Sequence, residues 1–227
     1  MRLLIFDLDG TLIDSRRDLI QAVNATRVHY RLGPLPSEVI YSYVGNGAPV
    51  LIRRVLGPEA SYAQVAEALE YFIRYYRDHA LDFTVLYPGV REALDRLRDT
   101  GSILAVLTNK PVRISQTIID GLGIGGYFAR VYGGNSFERK KPDPIGIETL
   151  MGECGAGREK TIMVGDSSVD VETARNAGVM ACGVTYGFQP ETFEASPPDL
   201  LCNTLEEFAD WVIHSGNGDG QPEAVPR

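Results

Sequence analysis

The run Leu3-Leu4-Ile5-Phe6 is apolar without alternation and stops at Asp7-Leu8-Asp9. A short unalternating run of this kind predicts a strand buried on both faces of a parallel sheet. The pattern then changes period. Leu19, Val23, Thr26 and Tyr30 recur at helical spacing, and Gly33-Pro34 closes that helix. Ser37 predicts the cap of a second, short helix. VGNGAP (Val44–Pro49) is a break, and a third helix runs through Leu51, Val55 and Leu56 to Gly57-Pro58. Val65, Leu69, Phe72, Ile73 and Tyr76 predict a fourth. No strand pattern occurs between residues 16 and 84.

From Tyr87-Pro88-Gly89 onward, helix and strand alternate. A helix carries Ala93, Leu94 and Leu97 to Gly101, and a strand spans Ile103–Leu107. Pro111 opens a further helix. The apolar runs Ala129–Tyr132, Thr161–Val164 and Ala181–Thr185 are separated by helix-length segments. Such alternation predicts an α/β fold, a Rossmann-like parallel sheet with helices on both faces. Residues 1–15 and 86–215 form this core, and residues 16–85 are an all-helical insert after its first strand. Its two chain crossings, near 14–18 and 82–88, suit a hinged lid. Residues 216–227 are Gly/Pro-rich and polar, a loose tail.

Composition narrows the function classes. The net charge is −8, and the basic pairs Arg16-Arg17, Arg53-Arg54 and Lys140-Lys141 are scattered. No basic stripe exists for nucleic acid. No apolar stretch suits a membrane, and the first apolar run is too short for a secretory leader. Cys154, Cys182 and Cys202 are odd in number and far apart, which predicts free thiols in a reducing, cytoplasmic setting. Nothing in the pattern sets an oligomeric state.

Ligands of open parallel sheets bind beyond the carboxyl ends of the strands. The first predicted strand ends in Asp7 and Asp9, the next in Thr108-Asn109, and the Thr161–Val164 strand in Gly165-Asp166, with Asp170 following. Lys140-Lys141-Pro142 follows the strand at Ala129–Tyr132. Three or four acids, one hydroxyl and one lysine should converge on one crevice. Like charges this close are costly to bury without a cation.

DLDGTLIDS, LTNK, KKPDP and VGDSSVD, in this order, resemble the haloacid dehalogenase superfamily of phosphohydrolases. The likeness covers residues 4 to 187, and the helical insert resembles that family's cap. Within the superfamily, YVGNGAPVLIRRVLG, VLTNKP and KPDP are similar to phosphoglycolate phosphatases. The resemblance implies an Mg²⁺-dependent phosphatase of a small phosphorylated metabolite, most simply 2-phosphoglycolate. Phosphate monoesters resist hydrolysis, and enzymes accelerate it by up to about 10²¹-fold. A carboxylate nucleophile divides that task through an aspartyl-phosphate. Asp7 would attack. Asp7, Asp166 and the backbone carbonyl of Asp9 would hold the metal. Asp9 would give a proton to the leaving alkoxide and later take one from water. Thr108 and the amide of Asn109 would bind phosphate oxygens, Lys141 would neutralise developing charge, and Asp170 would orient Lys141 or metal waters.

Gly45-Asn46-Gly47 precedes a helix whose free amides favour an anion, so it is either a turn or a contact to a substrate carboxylate. Arg16, Arg53 and Arg54 are surface residues with a secondary claim on substrate. His29, His79 and His214 take no catalytic part, and Tyr71, Phe72, Tyr75 and Tyr76 are cap core. Two rivals keep the fold: a phosphatase of a sugar phosphate or pyrophosphate, and a phosphomutase. A non-enzymatic receiver domain also gathers acids, Thr and Lys, but carries its acceptor Asp on a later strand and lacks the insert.

Overall fold

A computed structural model of the chain describes residues 1–216. The expected tail from 217 onward lies outside the described residues, and Gly216 itself ends a helix. Among the described residues, no helix is long and apolar enough to cross a membrane.

The first strand, β1 (Leu3–Phe6), is fully buried. It sits inside a six-stranded parallel sheet of order β5-β4-β1-β6-β7-β8. The other strands are β4 (Ile103–Leu107), β5 (Phe128–Tyr132), β6 (Thr161–Gly165), β7 (Met180–Val184) and β8 (Leu200–Cys202). Chain order reverses at β1, which lies between β4 and β6, and a crevice opens at such a reversal. Phe6 pairs with Val106 on one side and Val164 on the other. The residues after them, Asp7, Leu107-Thr108 and Gly165-Asp166, therefore come out at one level. The Asp7 amide donates to the Val164 carbonyl at 2.9 Å, so the ladder runs to the acid itself.

Helices cover both faces. One apolar layer contains Leu4, Phe6, Val90, Leu94, Ile118 and Phe208; the other contains Leu3, Ile5, Ile147, Leu150, Met163 and Val171. Alternate residues of β1 thus serve opposite layers, the period-2 geometry of a strand. Sequence periodicity does not find β8, which is three residues long and has one buried residue.

The insert consists of α1 (Arg16–His29), α2 (Ser37–Tyr41), α3 (Ala48–Leu56) and α4 (Tyr62–His79). α1 stops at His29 rather than near Gly33, because Arg31 takes a left-handed backbone, φ 58°. α4 starts with a capping box: the Ser61 hydroxyl accepts from the Gln64 amide, and the Gln64 side chain accepts from the Ser61 amide. Ala68, Phe72 and Tyr76, four residues apart, form its buried face. Tyr71 and Tyr75 lie outside that face, in a partly exposed stack with His29 and His79.

A feature that periodicity did not predict joins insert and core. β2 (Ile13–Asp14) and β3 (Val85–Leu86) pair antiparallel, Ile13 with Leu86 and Asp14 with Val85. Asp18, fully buried, accepts from the Phe83 amide at 3.0 Å, and from the Thr84 amide at 2.8 Å and hydroxyl at 2.7 Å. The two crossings are thereby fastened to each other.

Candidate active site

A cavity lies between the strand ends and the helical insert. The core contributes Asp7, Asp9, Thr108, Asn109, Lys110, Lys141 and Asp166 to its wall. Leu19, Val44, Ala48, Leu51 and Phe72 of the insert make the opposite wall apolar.

At the core end, Lys141 is the buried hub. Its Nζ lies 3.0 Å from Asp7 Oδ1 and 2.6 Å from Asp170 Oδ1. Burial opposes the ammonium charge, but Asp170 and Asp7 outweigh it and raise its pKa. Asp170 is held in turn in the first turn of the helix Ser168–Ala177. Its second oxygen accepts from the amide and hydroxyl of Ser167, closing a capping box at the helix start. With both oxygens occupied, Asp170 sits behind Lys141.

The acids show the strain that their crowding implies. Burial, with help from Asp170 and against the pull of Lys141, pushes the Asp7 carboxyl up to about 6. Burial and the charges of Asp170 and Asp7 push Asp166 well above the ordinary carboxylate range. Asp166 accepts from the Phe188 amide at 2.5 Å. Gly10, at φ 81°, lies so close that a Cβ there would stand 2.1 Å from Asp166 Oδ2. Only glycine fits both the backbone and the space.

Carboxylate oxygens of Asp7, Asp166 and Asp170 lie within 4.8 Å of one another. Three carboxylates, Asp7, Asp166 and Asp170, share one buried ammonium group, Lys141. The surplus of two negative charges matches one divalent cation. Oxygen-only donors suit a hard ion such as Mg²⁺. The residues fit the metal implied by the resemblance.

Asp9 has partners of its own. It accepts from the Ser15 hydroxyl at 2.5 Å and from Lys110 Nζ at 2.9 and 3.0 Å. Lys110 was not singled out by sequence reasoning, although it follows Thr108-Asn109 directly. Its side chain is 3% exposed. Nζ also donates to the Tyr76 hydroxyl and lies 4.4 Å from that ring's centroid. Burial works against its charge, but Asp9 and Tyr76 prevail and hold its pKa at about 12. Tyr76 is thus more than packing: it brings the insert onto a core cation. The Thr108 hydroxyl is buried at the cavity and accepts from the Lys110 amide.

The insert is closed on the core. Asn109 Nδ2 donates to the carbonyls of Gly45 and Lys141, both at 3.0 Å. Gln189 Nε2 donates to the Tyr41 and Val44 carbonyls at 3.2 and 3.3 Å. Lys140 donates to the Asn46 carbonyl. Gly45 and Gly47 reach the cavity wall, whereas Asn46 is not among the wall residues. Gly47 caps α3 at φ 80°, and Pro49 removes one of the free amides at that helix start. Arg16 is bidentate on Asp14, Arg53 donates to the Ala60 carbonyl, and Arg54 lies over the Tyr43 ring. His29 and His79 stack on Tyr71 and Tyr75, and His214 meets the Asp210 carbonyl; none lines the cavity.

Known proteins resemble the chain over most of its length. The family model described as haloacid dehalogenase-like hydrolase matches residues 4–184. A phosphoglycolate phosphatase of Vibrio vulnificus is 40% identical over 223 residues, covering 95% of this chain and 97% of its own. One from Pseudomonas putida is 39% identical over 211 residues, covering 90% of this chain and 77% of its own. Among solved structures, a predicted phosphoglycolate phosphatase from Haemophilus somnus superposes with a TM-score of 0.87 at 31% identity, over 93% of this chain and 98% of that one. The likeness thus extends over nearly the whole length, and the chain belongs to the haloacid dehalogenase-like hydrolase family.

Proposed function

We propose that the chain is a magnesium-dependent phosphatase that hydrolyses 2-phosphoglycolate to glycolate and phosphate. One observation carries the reading: two acids, Asp7 and Asp9, two positions apart beyond the end of β1, face one cavity, each against its own buried lysine. The names of the relatives support the substrate. In this reading residues 16–85 act as a cap and residues 1–15 and 86–215 as the catalytic core.

Asp7, Asp166 and the main-chain carbonyl of Asp9 would hold Mg²⁺. Bound by these groups, it would supply positive charge that offsets the repulsion between nucleophile and phosphate. Asp7 attacks phosphorus as the ester P–O bond breaks. Lys141 orients Asp7 and neutralises charge growing on the phosphoryl oxygens. Thr108 and the Asn109 amide hold those oxygens. Asp9, aimed by Ser15 and Lys110, gives its proton to the departing alkoxide. It then takes a proton from the water that attacks the aspartyl-phosphate, which returns Asp7 and releases phosphate.

The direct test is phosphate release from 2-phosphoglycolate, sugar phosphates, pyrophosphate and an aryl phosphate, with and without Mg²⁺. The highest kcat/KM is expected for 2-phosphoglycolate, with no release after chelation. A higher value for a sugar phosphate or pyrophosphate would transfer the assignment to that substrate.

Asp9→Asn separates the two acids. Loss of the proton donor should cost an alkyl phosphate about 10²- to 10⁴-fold in kcat. An aryl phosphate, whose leaving group departs without a proton, should lose far less from the first step. Equal losses in burst-phase rates for the two esters would remove Asp9 as the acid.

Metal binding should also stabilise the fold in a pH-dependent way. Unfolded, Asp7 loses its proton near 3.8, but folded it keeps it to about 6. The folded state therefore loses relative stability as pH rises through that window, and at pH 7.5 the full cost is present. A cation offsets this cost. At 100 times its Kd, Mg²⁺ should add about 2.7 kcal/mol, roughly 5–10 °C in Tm for a chain of this size. At pH 5, where protons compete, the gain should be much smaller. A Tm indifferent to Mg²⁺ at pH 7.5 would contradict the metal assignment.

A further inference from the structure

An anionic leaving group needs a cation, and the cavity wall on the leaving-group side is apolar. Leu19, Leu51 and Phe72 offer a carboxylate nothing. Of the neighbouring cations among the described residues, Arg16, Arg53 and Lys140 do not line the cavity, and Lys141 is held between Asp7 and Asp170 at the phosphoryl end. The start of α3 is a poor substitute, since Pro49 lacks an amide. Lys110 remains. It lines the cavity, it is buried, and it touches the acid that must reach the leaving oxygen.

Resting on the phosphatase reading above, we propose that Lys110 is the specificity residue that recognises a carboxylate on the leaving group, on the carbon bonded to the ester oxygen. The reach follows from the contacts. Lys110 Nζ lies 2.9 and 3.0 Å from the Asp9 oxygens, so an anion sharing that ammonium lies close to the oxygen that Asp9 serves. Tyr76 closes the far side: its hydroxyl accepts from Nζ, and its ring stands 4.4 Å away. The ammonium is thereby kept from following a longer leaving group outward. Low-polarity walls strengthen the ion pair, and they penalise a carboxylate placed anywhere else. A 2-phospho-carboxylate fits this geometry. The Gly45-Asn46-Gly47 loop then closes the mouth without reading charge.

The test compares 2-phosphoglycolate with 2-hydroxyethyl phosphate, its neutral counterpart, in the parent, Lys110→Met and Lys110→Arg. A charge-assisted hydrogen bond corresponds to about 10- to 100-fold. The parent should favour 2-phosphoglycolate by at least that factor in kcat/KM. Lys110→Met should bring the ratio close to one, chiefly through KM, and Lys110→Arg should recover part of it. Glycolate should inhibit aryl-phosphate hydrolysis by the parent and not by Lys110→Met. Equal proportional losses on both esters, with glycolate inhibition retained, would overturn the proposal and leave Lys110 serving Asp9 alone. Should Lys110→Met fail to fold, the parent supplies the answer. It should disfavour an ester whose carboxylate stands one carbon further away by about tenfold or more; equal kcat/KM values would overturn the proposal. A parent that hydrolyses some other 2-phospho-carboxylate but not 2-phosphoglycolate would refute the substrate reading and uphold Lys110.

Discussion

Asp7→Asn is expected to abolish turnover while leaving the fold intact. The amide has the size of the carboxylate but no charge with which to attack phosphorus. Removing a nucleophile that acts with its partners as a unit costs about 10⁶-fold in kcat in a well-studied hydrolase, and a loss of at least about 10⁴-fold is expected here. Stability should move the other way. Burial and Asp170 push the Asp7 carboxyl up to about 6, so its charge at pH 7.5 destabilises the metal-free fold. The amide avoids that cost. Without Mg²⁺, Asp7→Asn should therefore unfold no earlier than the parent at pH 7.5, and it should gain less from added Mg²⁺. Activity within tenfold of the parent would dismiss the covalent route. A dead variant with much lower Tm would leave the loss attributable to misfolding.

Lys141→Met should behave in the opposite manner, losing both activity and stability. Lys141 stands between Asp7 and Asp170, and its side chain is 2% exposed. Truncating one partner of a buried charged group leaves the others uncompensated, a cost of about 3–5 kcal/mol. Losing one preorganised positive group at the phosphoryl oxygens costs about 10²- to 10³-fold in kcat. Urea unfolding and phosphate release on the same preparation check both. Mg²⁺ should restore part of the stability, because Asp7 and Asp166 remain, but little of the rate. A variant as stable as the parent would show that Lys141 does not hold these acids together.

The strand-end acids were legible in the sequence because each motif is local: a short apolar run and the polar residues that follow it. β1 before Asp7 and β6 before Asp166 fix direction and level within a few positions. The insert was legible from periodicity, because its three longer helices each present an apolar stripe. Less was visible where contacts join distant positions. Lys110 and Asp9 are 101 residues apart, and Gln189 and Tyr41 are 148 apart. No spacing rule connects them, and a lysine after Thr108-Asn109 looks like any solvated lysine until it is found buried. The acid Asp18 reads as an ordinary first-turn residue of α1; its work as an acceptor for Phe83 and Thr84 depends on a return of the chain 65 residues later. β2 and β3, two residues each, are too short to show a period.

The β2–β3 ribbon has a consequence for how this enzyme can change. Because Ile13 pairs with Leu86 and Asp18 clamps the returning strand, the insert leaves and re-enters the core as neighbouring strands do, about 4.8 Å apart. To the core it is one long hairpin loop, and lengthening such a loop costs little closure entropy, about 0.6 kcal/mol per doubling. Whole helices between the two crossings can be exchanged, lengthened or remodelled without disturbing the register that aims Asp7. The core that carries the strand-end acids and the insert that covers them can thus evolve at separate rates within one polypeptide.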